Sequence, residues 1–501
     1  MSEIIIVGGG VSGLAAGIYA ALGGFDVSVY EKHFEVGGNL TGWERGGYKI
    51  DNCVHWLTGT NKNSGWYKTW QTLGVMNENT EIILNDSLYT VEKGGKTLTL
   101  YRDIDKTRRE MLDVSIDDES EIEKFIKAVK EMMRAFHIGG INKDEGLKKR
   151  DLIKDIPLFY GYYSISTGEL TEKFKSPLIK KFLVSFLNSK FTAFALISVF
   201  ATFCGDNGGL IKGGSFEMAK QIKGRFIDLG GHIYTNKEAV KITGGDKPEV
   251  IFSDGSAARA DYVISAVDPK IFFGKLTDKK PPYRLKRMYE DRRYMTFSAI
   301  QCAFSCEEEK LPFNGDFIVE TRNAFGFHSA MKYMYIREFS HEKSYSLSGK
   351  NIIQAMVFCD EKTSLEYISA KEETGGYKSI KRNFAFKAES IIVRQFPILK
   401  GKLKLLDVWT PATYRRFTGA PTGSFMAFTT PPKYIPFKVK SKVFGMKNVY
   451  IATQWQNPPG GLPNAALSGK RAAEEIIKRE SKKRAVSAPK LNAAKPVKER
   501  G

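Results

Sequence analysis

A glycine-rich turn near the N-terminus constrains the fold more than any other stretch of the chain. Residues 4–7 form an apolar run typical of a buried strand, and glycines in the spacing G-x-G-x-x-G lead from it into a helix rich in small residues. In such a turn the first glycine permits a tight bend, the second lets backbone approach a diphosphate, and the third lets the helix pack closely on the strand. The pattern predicts a dinucleotide site. Its expected contacts are Gly8, Gly10, Val11, Ser12 and Gly13.

The next predicted strand, at residues 26–30, is followed by an acidic side chain. Glu31 lies eighteen residues after Gly13, close to the spacing at which a carboxylate binds a ribose hydroxyl in dinucleotide-binding folds. Lys32 follows directly and is assigned to the same site. The alternative is a glycine-rich turn that binds no ligand, and it leaves the coincidence of strand, glycines and acid unexplained.

A second pair of glycines follows the acidic residue. Gly37 and Gly38 precede Asn39 and Leu40, and a β-turn alone would account for the glycines. Backbone amides here would continue along a long diphosphate, which suits FAD better than a nicotinamide nucleotide. No second G-x-G-x-x-G follows a strand. We therefore expect no nicotinamide domain, and the sequence leaves the electron donor or acceptor unidentified.

Length, charge and cysteine content set broad limits on the protein. A chain of 501 residues is long for one core and predicts two or three domains. Its net charge of +20 favours an anionic partner. Residues 481–501 carry seven Lys and Arg against one Glu, and we expect a disordered tail that is either solubilising or lipid-binding. Five scattered cysteines and a start directly in a strand favour the cytoplasm, without a signal peptide.

Several other function classes lack their sequence signatures. The six histidines have no metal-ligand spacing, no G-x-S-x-G nucleophile motif occurs, and the basic residues form no known nucleic-acid module. Cys302 and Cys306 lie in a strand-like run, so we expect buried thiols rather than a redox pair. These features predict no metal site and no nucleic-acid partner.

Three blocks of the sequence resemble those of one FAD-dependent superfamily. They are the opening turn with V-G-G, G-x-x-x-D and V-H-W-L-T-G up to residue 59, A-D-x-V-I-S-x-x-D-P at residues 260–269, and G-G-x-P at residues 460–463. The chain resembles phytoene desaturases, carotenoid isomerases and retinol saturases, and is most similar to the retinol saturase and isomerase branch. Asn39 departs from the pattern, because many relatives carry an arginine that contacts the pyrophosphate there.

The resemblance implies a fold and a set of cofactor contacts. The fold would be α/β, with a Rossmann-type FAD-binding domain and an inserted α+β substrate domain of antiparallel sheet and helices, as in amine-oxidase-like flavoproteins. Val240 would contact the adenine side through its backbone, and Ala266 would lie near the cofactor. The helix that begins near Pro463 would aim its positive end at the flavin. The other contacts implied are Val54, His55, Gln454, Gly461, Leu462 and Ala465.

His55, Trp56 and Gln454 are the candidate active-site residues. By resemblance they would lie near the flavin, where His55 either supplies a proton or only hydrogen-bonds to backbone. The cofactor carries redox chemistry at an apolar carbon–carbon bond, and the protein positions the substrate. We therefore expect desaturation, saturation or isomerisation of a long apolar polyisoprenoid. The alternatives are an amine-oxidase-like reaction on a polar substrate and a non-catalytic flavin- or lipid-binding protein.

The blocks divide the chain into alternating segments. We assign residues 1–76, 205–270 and 440–480 to the FAD-binding domain, residues 77–204 and 271–439 to the substrate domain, and residues 481–501 to the tail. In the second insert we predict strands at residues 297–304, 316–319 and 352–358 and a helix at residues 379–395. Residues 169–204 interleave lysines with apolar side chains. Such a segment either covers the core or attaches peripherally to the inner face of an anionic membrane.

Overall fold

Two large sheets with covering helices organise the protein. The computed structural model describes residues 1–138, 156–296, 298–322, 325, 332–373, 376–434 and 439–487. The strands are β1 Glu3–Val7, β2 Asp26–Tyr30, β3 Gly42–Arg45, β4 Tyr48–Asp51, β5 Leu57–Thr58, β6 Ile82–Ile83, β7 Ser87–Lys93, β8 Lys96–Tyr101, β9 Gly208–Ile211, β10 His232–Tyr234, β11 Ala239–Thr243, β12 Glu249–Phe252, β13 Ala257–Arg259, β14 Tyr262–Ser265, β15 Ser298–Cys306, β16 Asp316–Glu320, β17 Tyr333–Glu338, β18 Asn351–Cys359, β19 Leu403–Trp409 and β20 Val449–Ile451. The α-helices are Val11–Leu22, Gly65–Thr72, Ile104–Val114, Glu119–Ile138, Ile156–Tyr163, Thr167–Thr171, Pro177–Phe186, Ala193–Cys204, Gly214–Asp228, Pro269–Ile271, Tyr283–Glu290, Glu361–Glu372, Tyr377–Gln395, Pro411–Thr418 and Gly461–Ser487.

The nucleotide-binding sheet is parallel and discontinuous in sequence. Its strand order is β10-β2-β1-β14-β20, and every pairing in it is parallel. The central strand β1 is buried from Ile4 to Val7 because helices cover the sheet, as expected for a parallel sheet. Helices Val11–Leu22 and Gly461–Ser487 pack against each other. Gly469 allows their close approach, since a side chain there would clash with backbone of the first helix.

Both inserted segments contribute to one seven-stranded sheet. Its order is β19-β15-β18-β17-β16-β7-β8, and only the β16–β7 pairing is parallel. Neighbouring residues face opposite sides, so that Tyr335 and Met356 pack with the helices of the first insert while Ile336 and Val357 pack beneath helix Tyr377–Gln395. The sheet is therefore covered by helices on both faces.

The elements predicted for the second insert are present. The three predicted strands correspond to β15, β16 and β18, and the predicted helix to Tyr377–Gln395; Phe297 lies outside the described residues. Strands β17 and β19 were not predicted. Both carry charged side chains within their apolar runs, so their sequences lack the strict alternation of apolar and polar residues that predicts a half-buried strand.

The lysine-rich segment forms three helices that face the core. Phe174, Ile179, Phe182 and other apolar side chains of residues 169–204 are buried in the cluster that covers the seven-stranded sheet. Lys181 is also buried, and its Nζ donates to the carbonyl oxygen of Glu92 at 2.7 Å. Of the two alternatives for residues 169–204, these side chains follow the one in which the segment covers the core. Among the helices of the described residues, none combines the length and apolar character needed to cross a membrane.

The closing helix is longer than the sequence indicates. It continues to Ser487, past the boundary predicted at residue 480. The Nζ atom of Lys483 donates to the hydroxyl of Tyr262 at 2.8 Å, and Glu480 also hydrogen-bonds to that hydroxyl, so β14 supports the extra turns. The prediction of a disordered tail over residues 481–501 is therefore wrong for residues 481–487. Residues 488–501 lie outside the described residues.

Candidate active site

The turn after β1 has the geometry that its glycines predict. Gly8 has a φ of +101°, in the left-handed region that favours glycine. A side chain at Gly13 would clash with the carbonyl oxygen of Gly8. Gly13 therefore sets the close packing of the helix on the strand, and it does not line the cavity described below.

The backbone of Gly10 lies directly against that of Gly37 and Gly38, and these three glycines line one edge of an open gap. The N–H of Gly37 donates to the carbonyl oxygen of Gly9 at 2.8 Å. A Cβ added at Gly10 would meet only the Cα of Gly38, at 4.0 Å. The gap lies at the N-terminus of helix Val11–Leu22, where backbone amides and the helix dipole favour an anion. This backbone cradle can hold a diphosphate.

Glu31 lies at the end of β2, beside the cradle. Its side chain is 8% exposed, and its carboxylate accepts the N–H of Gly9 at 2.7 Å and the N–H of His33 at 2.9 Å. These two bonds leave further lone pairs for a ligand hydroxyl. Lys32 lines the same part of the cavity. Burial lowers the pKa of Lys32, and the nearby carboxylate of Glu238 opposes that shift.

The start of the closing helix forms a further wall. Gly460 and Gly461 have φ values of +84° and +82°. The Oε1 atom of Gln454 accepts the N–H of Gly461 at 2.8 Å, and its Nε2 donates to the carbonyl oxygen of Phe425 at 3.2 Å. Both ends of the Gln454 amide are thus bound to backbone. Its visible role is to order the loop before the helix, and its part in catalysis stays a prediction.

His55 and Trp56 both line the cavity. Burial lowers the pKa of His55 well below its ordinary value, and the positive charge of Arg337 adds to the shift. His55 is therefore neutral at pH 7, with one ring nitrogen as donor and the other as acceptor. Trp56 packs on Gly208, where a side chain would clash with the indole. A neutral imidazole holds no spare proton, so a proton leaving His55 must be replaced from elsewhere.

One cavity of about 1460 Å³ joins these features. Ligand pockets usually measure roughly 300–1,000 Å³, so this one has room for more than one small molecule. Val54 is not among its walls, because its side chain is 5% exposed and packs in the core of the nucleotide-binding unit. The predicted residues that do line the cavity are Gly8, Gly10, Val11, Ser12, Glu31, Lys32, Gly37, Gly38, Asn39, Leu40, His55, Trp56, Val240, Ala266, Gln454, Gly461, Leu462, Pro463 and Ala465.

Beyond the nucleotide end, the cavity continues into the substrate domain. The rings of Tyr335 and Phe358 meet edge-on at 5.2 Å between centroids, and Phe358 stacks on Phe425 at 6.0 Å. These contacts make an extended aromatic wall rather than a small cage. The large apolar side chains that line this part are Leu88, Phe186, Leu187, Phe191, Phe194, Val199, Met295, Tyr335, Met356, Phe358, Phe425 and Met426.

Sequence reasoning missed an ion pair in the cavity wall. Asp316 and Arg337 are paired residues on β16 and β17. The Nε atom of Arg337 donates to Oδ1 of Asp316 at 2.7 Å, and its Nη2 donates to Oδ2 at 2.5 Å. Their side chains are 9% and 13% exposed. Each strand carries two charged residues, and only the strand register shows that Asp316 and Arg337 are the two that meet.

A polar chain that was also missed connects the two domains. The hydroxyl of Tyr414 donates to Oδ1 of Asn52 at 3.0 Å and accepts Nε2 of Gln301 at 2.6 Å. Asn52 in turn donates to the carbonyl oxygen of Asn39 at 3.3 Å, next to the second glycine pair. Tyr414 is buried behind the cavity wall, whereas Arg415 lines it. The substrate domain thereby supports the glycine cradle.

The two cysteines considered as a redox pair do not line the cavity. Cys302 and Cys306 are fully buried on β15, as predicted, and burial raises the pKa of each thiol. Within the part of the chain that the structure describes, no three His, Cys, Asp or Glu residues are grouped so that they could hold a metal ion.

The cradle, the carboxylate and the helix start match the parts of FAD in order. The open gap beside the glycines suits the diphosphate, Glu31 suits a ribose, and the helix start suits the flavin ring. The sequence profile of the family described as "flavin containing amine oxidoreductase" matches residues 11–322, more than half of the chain. The chain belongs to this family. As a flavin-containing amine oxidoreductase it is an FAD-dependent oxidoreductase, and the predictions of an enzyme and of FAD are confirmed.

Two curated relatives are similar to this flavin-containing amine oxidoreductase along its length. The 4,4'-diaponeurosporene oxygenase of Staphylococcus haemolyticus (strain JCSC1435) is 22% identical and aligns over 96% of this chain and 98% of its own. The enzyme of the same name from Staphylococcus aureus (strain MW2) is 23% identical over 96% and 99%. These names agree with the predicted superfamily. The branch that includes retinol saturases and isomerases stays a prediction.

A solved structure with a similar fold confirms the fold class. Cyclohexylamine oxidase from Brevibacterium oxydans IH-35A superposes with a TM-score of 0.58 at 12% identity, covering 96% of this chain and 99% of that one. At this identity the likeness concerns the fold alone. It matches the predicted amine-oxidase-like architecture, with a nucleotide-binding domain and an inserted substrate domain.

Proposed function

We propose that this oxidoreductase acts on carbon–carbon bonds of a long apolar polyisoprenoid, carotenoid- or retinoid-like, by desaturation, saturation or isomerisation. The observation that carries the proposal is the continuation of the 1460 Å³ cavity past the nucleotide end, between apolar side chains of the substrate domain. A flat conjugated chain would lie along the wall formed by Tyr335, Phe358 and Phe425. The names of the two staphylococcal relatives, which refer to a carotenoid, support the same substrate class.

We infer the following arrangement of the cofactor. The diphosphate would lie against the backbone of Gly10 and Gly38, Glu31 would accept a ribose hydroxyl, and the helix that starts at Gly461 would face the flavin. Val240 and Ala266 line the cavity near these groups and would complete the contacts. Bound FAD supplies transfer of two electrons as a hydride. The protein's own side chains exclude water, orient the substrate and handle the accompanying proton.

The main alternative is an amine-oxidase-like reaction on a polar substrate. The family description and the fold of cyclohexylamine oxidase agree with that reaction, and the Asp316–Arg337 pair offers charge in the cavity wall. A small amine would leave most of the apolar space unfilled. The extent of the aromatic wall therefore favours the polyisoprenoid. The third hypothesis is a flavin- or lipid-binding protein without catalytic turnover.

The proposal is tested with the FAD-loaded protein under anaerobic conditions. We expect carotenoids and retinoids to reduce oxidised FAD, to reoxidise reduced FAD or to be isomerised, and we expect no reduction of oxidised FAD by a panel of amines. Turnover of amines alone would contradict the proposal in favour of the amine-oxidase reaction. No turnover in either panel would favour the non-catalytic reading. Mass spectrometry of lipids that copurify with the protein would identify the substrate class independently.

A matched pair of variants tests the aromatic wall. Removing a buried phenyl ring costs about 1.5–3 kcal/mol of apolar contact, so Phe358→Ala should weaken polyene binding by about ten- to hundredfold. The control is Phe386→Ala, because Phe386 is 69% exposed and does not line the cavity. We expect FAD content to be unchanged in both variants. Equal polyene affinity in Phe358→Ala and the native protein would place the substrate elsewhere.

We also propose that the protein collects its substrate from an anionic membrane surface. Support comes from the net charge of +20 and from Lys190 and Lys332, which are exposed and line the cavity. Because the apolar side chains of residues 169–204 are largely buried, attachment would be electrostatic rather than by an inserted helix. Sedimentation with phosphatidylserine vesicles should show binding that falls as salt rises. Absence of binding at low salt would contradict this proposal.

A further inference from the structure

A second, small cavity lies behind His55. It measures about 40 Å³. Because a buried water needs roughly 10–15 Å³ of such space, the cavity can hold on the order of two or three waters. The residues that line both this cavity and the large one are His55, Trp56, Leu88, Asp316 and Arg337. His55 and the buried ion pair are thus part of the wall that separates the two cavities.

The small cavity has polar groups among its apolar walls, and one of these polar groups has an unmet hydrogen bond. Asn85, Arg102 and Glu338 line it together with His341. The ring of His341 is partly exposed, but its Nδ1 atom is buried and no described residue provides it with a hydrogen-bond partner. A buried polar atom without a partner costs about 1–3 kcal/mol. Water in the cavity would remove that cost, because it would give Nδ1 a partner.

We propose that the small cavity holds water and, with His341 and His55, carries protons between solvent and the large cavity. A proton enters at the partly exposed ring of His341 and passes along the water to one ring nitrogen of His55. The proton on the other ring nitrogen of His55 then leaves into the large cavity. One N–H bond of His55 forms as the other breaks, the imidazole stays neutral, and no electrons move. The path runs in reverse when the substrate releases a proton.

The charges around His55 suit this neutral transfer. Arg337 faces His55 and disfavours a second proton on its ring, while the two hydrogen bonds from Arg337 to Asp316 keep the guanidinium in place. Burial lowers the pKa of His341 and Arg337 adds to the shift, while the carboxylates of Glu338 and Glu342 oppose it. The solvent end can therefore take up a proton more readily than the buried end. The direction of transfer rests on the proposed function, whereas the presence of water does not.

The first test is a high-resolution crystal structure of the FAD-loaded protein. We expect ordered water within hydrogen-bond distance of Nδ1 of His341, and further water reaching His55 or Arg337. A dry cavity would overturn the proposal. This readout needs no substrate, so its failure is distinguishable from failure of the polyisoprenoid reaction.

The second test compares two variants by a rate that also needs no substrate. Flash reduction of bound FAD in weakly buffered solution, with a pH-indicator dye, measures the rate of proton uptake. Because positioned proton transfer contributes at least about a hundredfold in such steps, His341→Phe should slow uptake by about tenfold or more. His341→Gln keeps a hydrogen-bonding atom for the water but cannot take up a proton, so it should slow uptake about as much as His341→Phe while the ordered water stays in place. Uptake at the native rate in His341→Phe, with unchanged FAD content and melting temperature, would overturn the proposal.

Discussion

Gly10→Ala should weaken FAD binding without weakening the fold. Gly10 has a φ of −72° and a ψ of 178°, which alanine adopts without strain, and the added Cβ would meet only the Cα of Gly38, at 4.0 Å. The apoprotein should be unchanged or up to about 1 kcal/mol more stable, because alanine restricts the unfolded chain. The same methyl group enters the gap proposed for the diphosphate. Crowding a packed contact costs about 1–3 kcal/mol, which corresponds to a rise of about 5- to 150-fold in the Kd for FAD.

Two measurements on the apoprotein check this expectation. Titration with FAD, followed by quenching of flavin fluorescence, gives the Kd, and thermal unfolding gives the stability. The control is Gly224→Ala in helix Gly214–Asp228, where a Cβ meets nothing within 4 Å. It should add about 0.5–1 kcal/mol of stability and leave the Kd unchanged. Native affinity in Gly10→Ala would show that the diphosphate does not lie against Gly10, and a less stable apoprotein would show that the gap is not open.

Three further predictions follow from the same site and its surroundings. Gly13→Ala should destabilise the apoprotein by about 1–3 kcal/mol, because its side chain would clash with the carbonyl oxygen of Gly8, and a native melting temperature would contradict this. Gln454→Leu should raise the Kd for FAD by about tenfold in the same titration, because the N–H of Gly461 loses its acceptor; an unchanged Kd would exclude that role. Burial raises the pKa of Asp268 from 3.8 to about 6. Between these two pH values the native state binds more protons than the unfolded state, so the free energy of unfolding falls as pH rises. Denaturant unfolding from pH 4 to 6 should therefore show the unsubstituted protein losing stability relative to Asp268→Asn. If the free energy of unfolding changes with pH equally in both proteins, the raised pKa of Asp268 is refuted.

The nucleotide-binding unit was predictable because its signals are local. Gly8 and Gly13 form the tight turn and the close helix contact that their spacing predicts, and Glu31 lies at the predicted strand end, because these are properties of a few consecutive residues. The contact of Glu31 with a ribose stays a prediction. The start of the closing helix at Gly461 was predictable for the same reason.

Features that depend on long-range packing were not predictable. Asp316 and Arg337 meet only because β16 and β17 pair in one register, and Tyr414 reaches Asn52 across the boundary between the two domains. The composition of residues 169–204 also does not decide whether their apolar side chains face a membrane or the protein core. The difference is whether another apolar surface covers the segment, and that information lies in the rest of the chain.

The nucleotide-binding sheet takes its strands from three distant stretches of the chain, β1 and β2, then β10 and β14, and finally β20. A ribosome makes β20 and the helix after it only after both inserted segments. Until then the glycine turn at residues 8–13 lacks the cavity wall formed by residues 461–465, so the site cannot be complete before the substrate domain has been made.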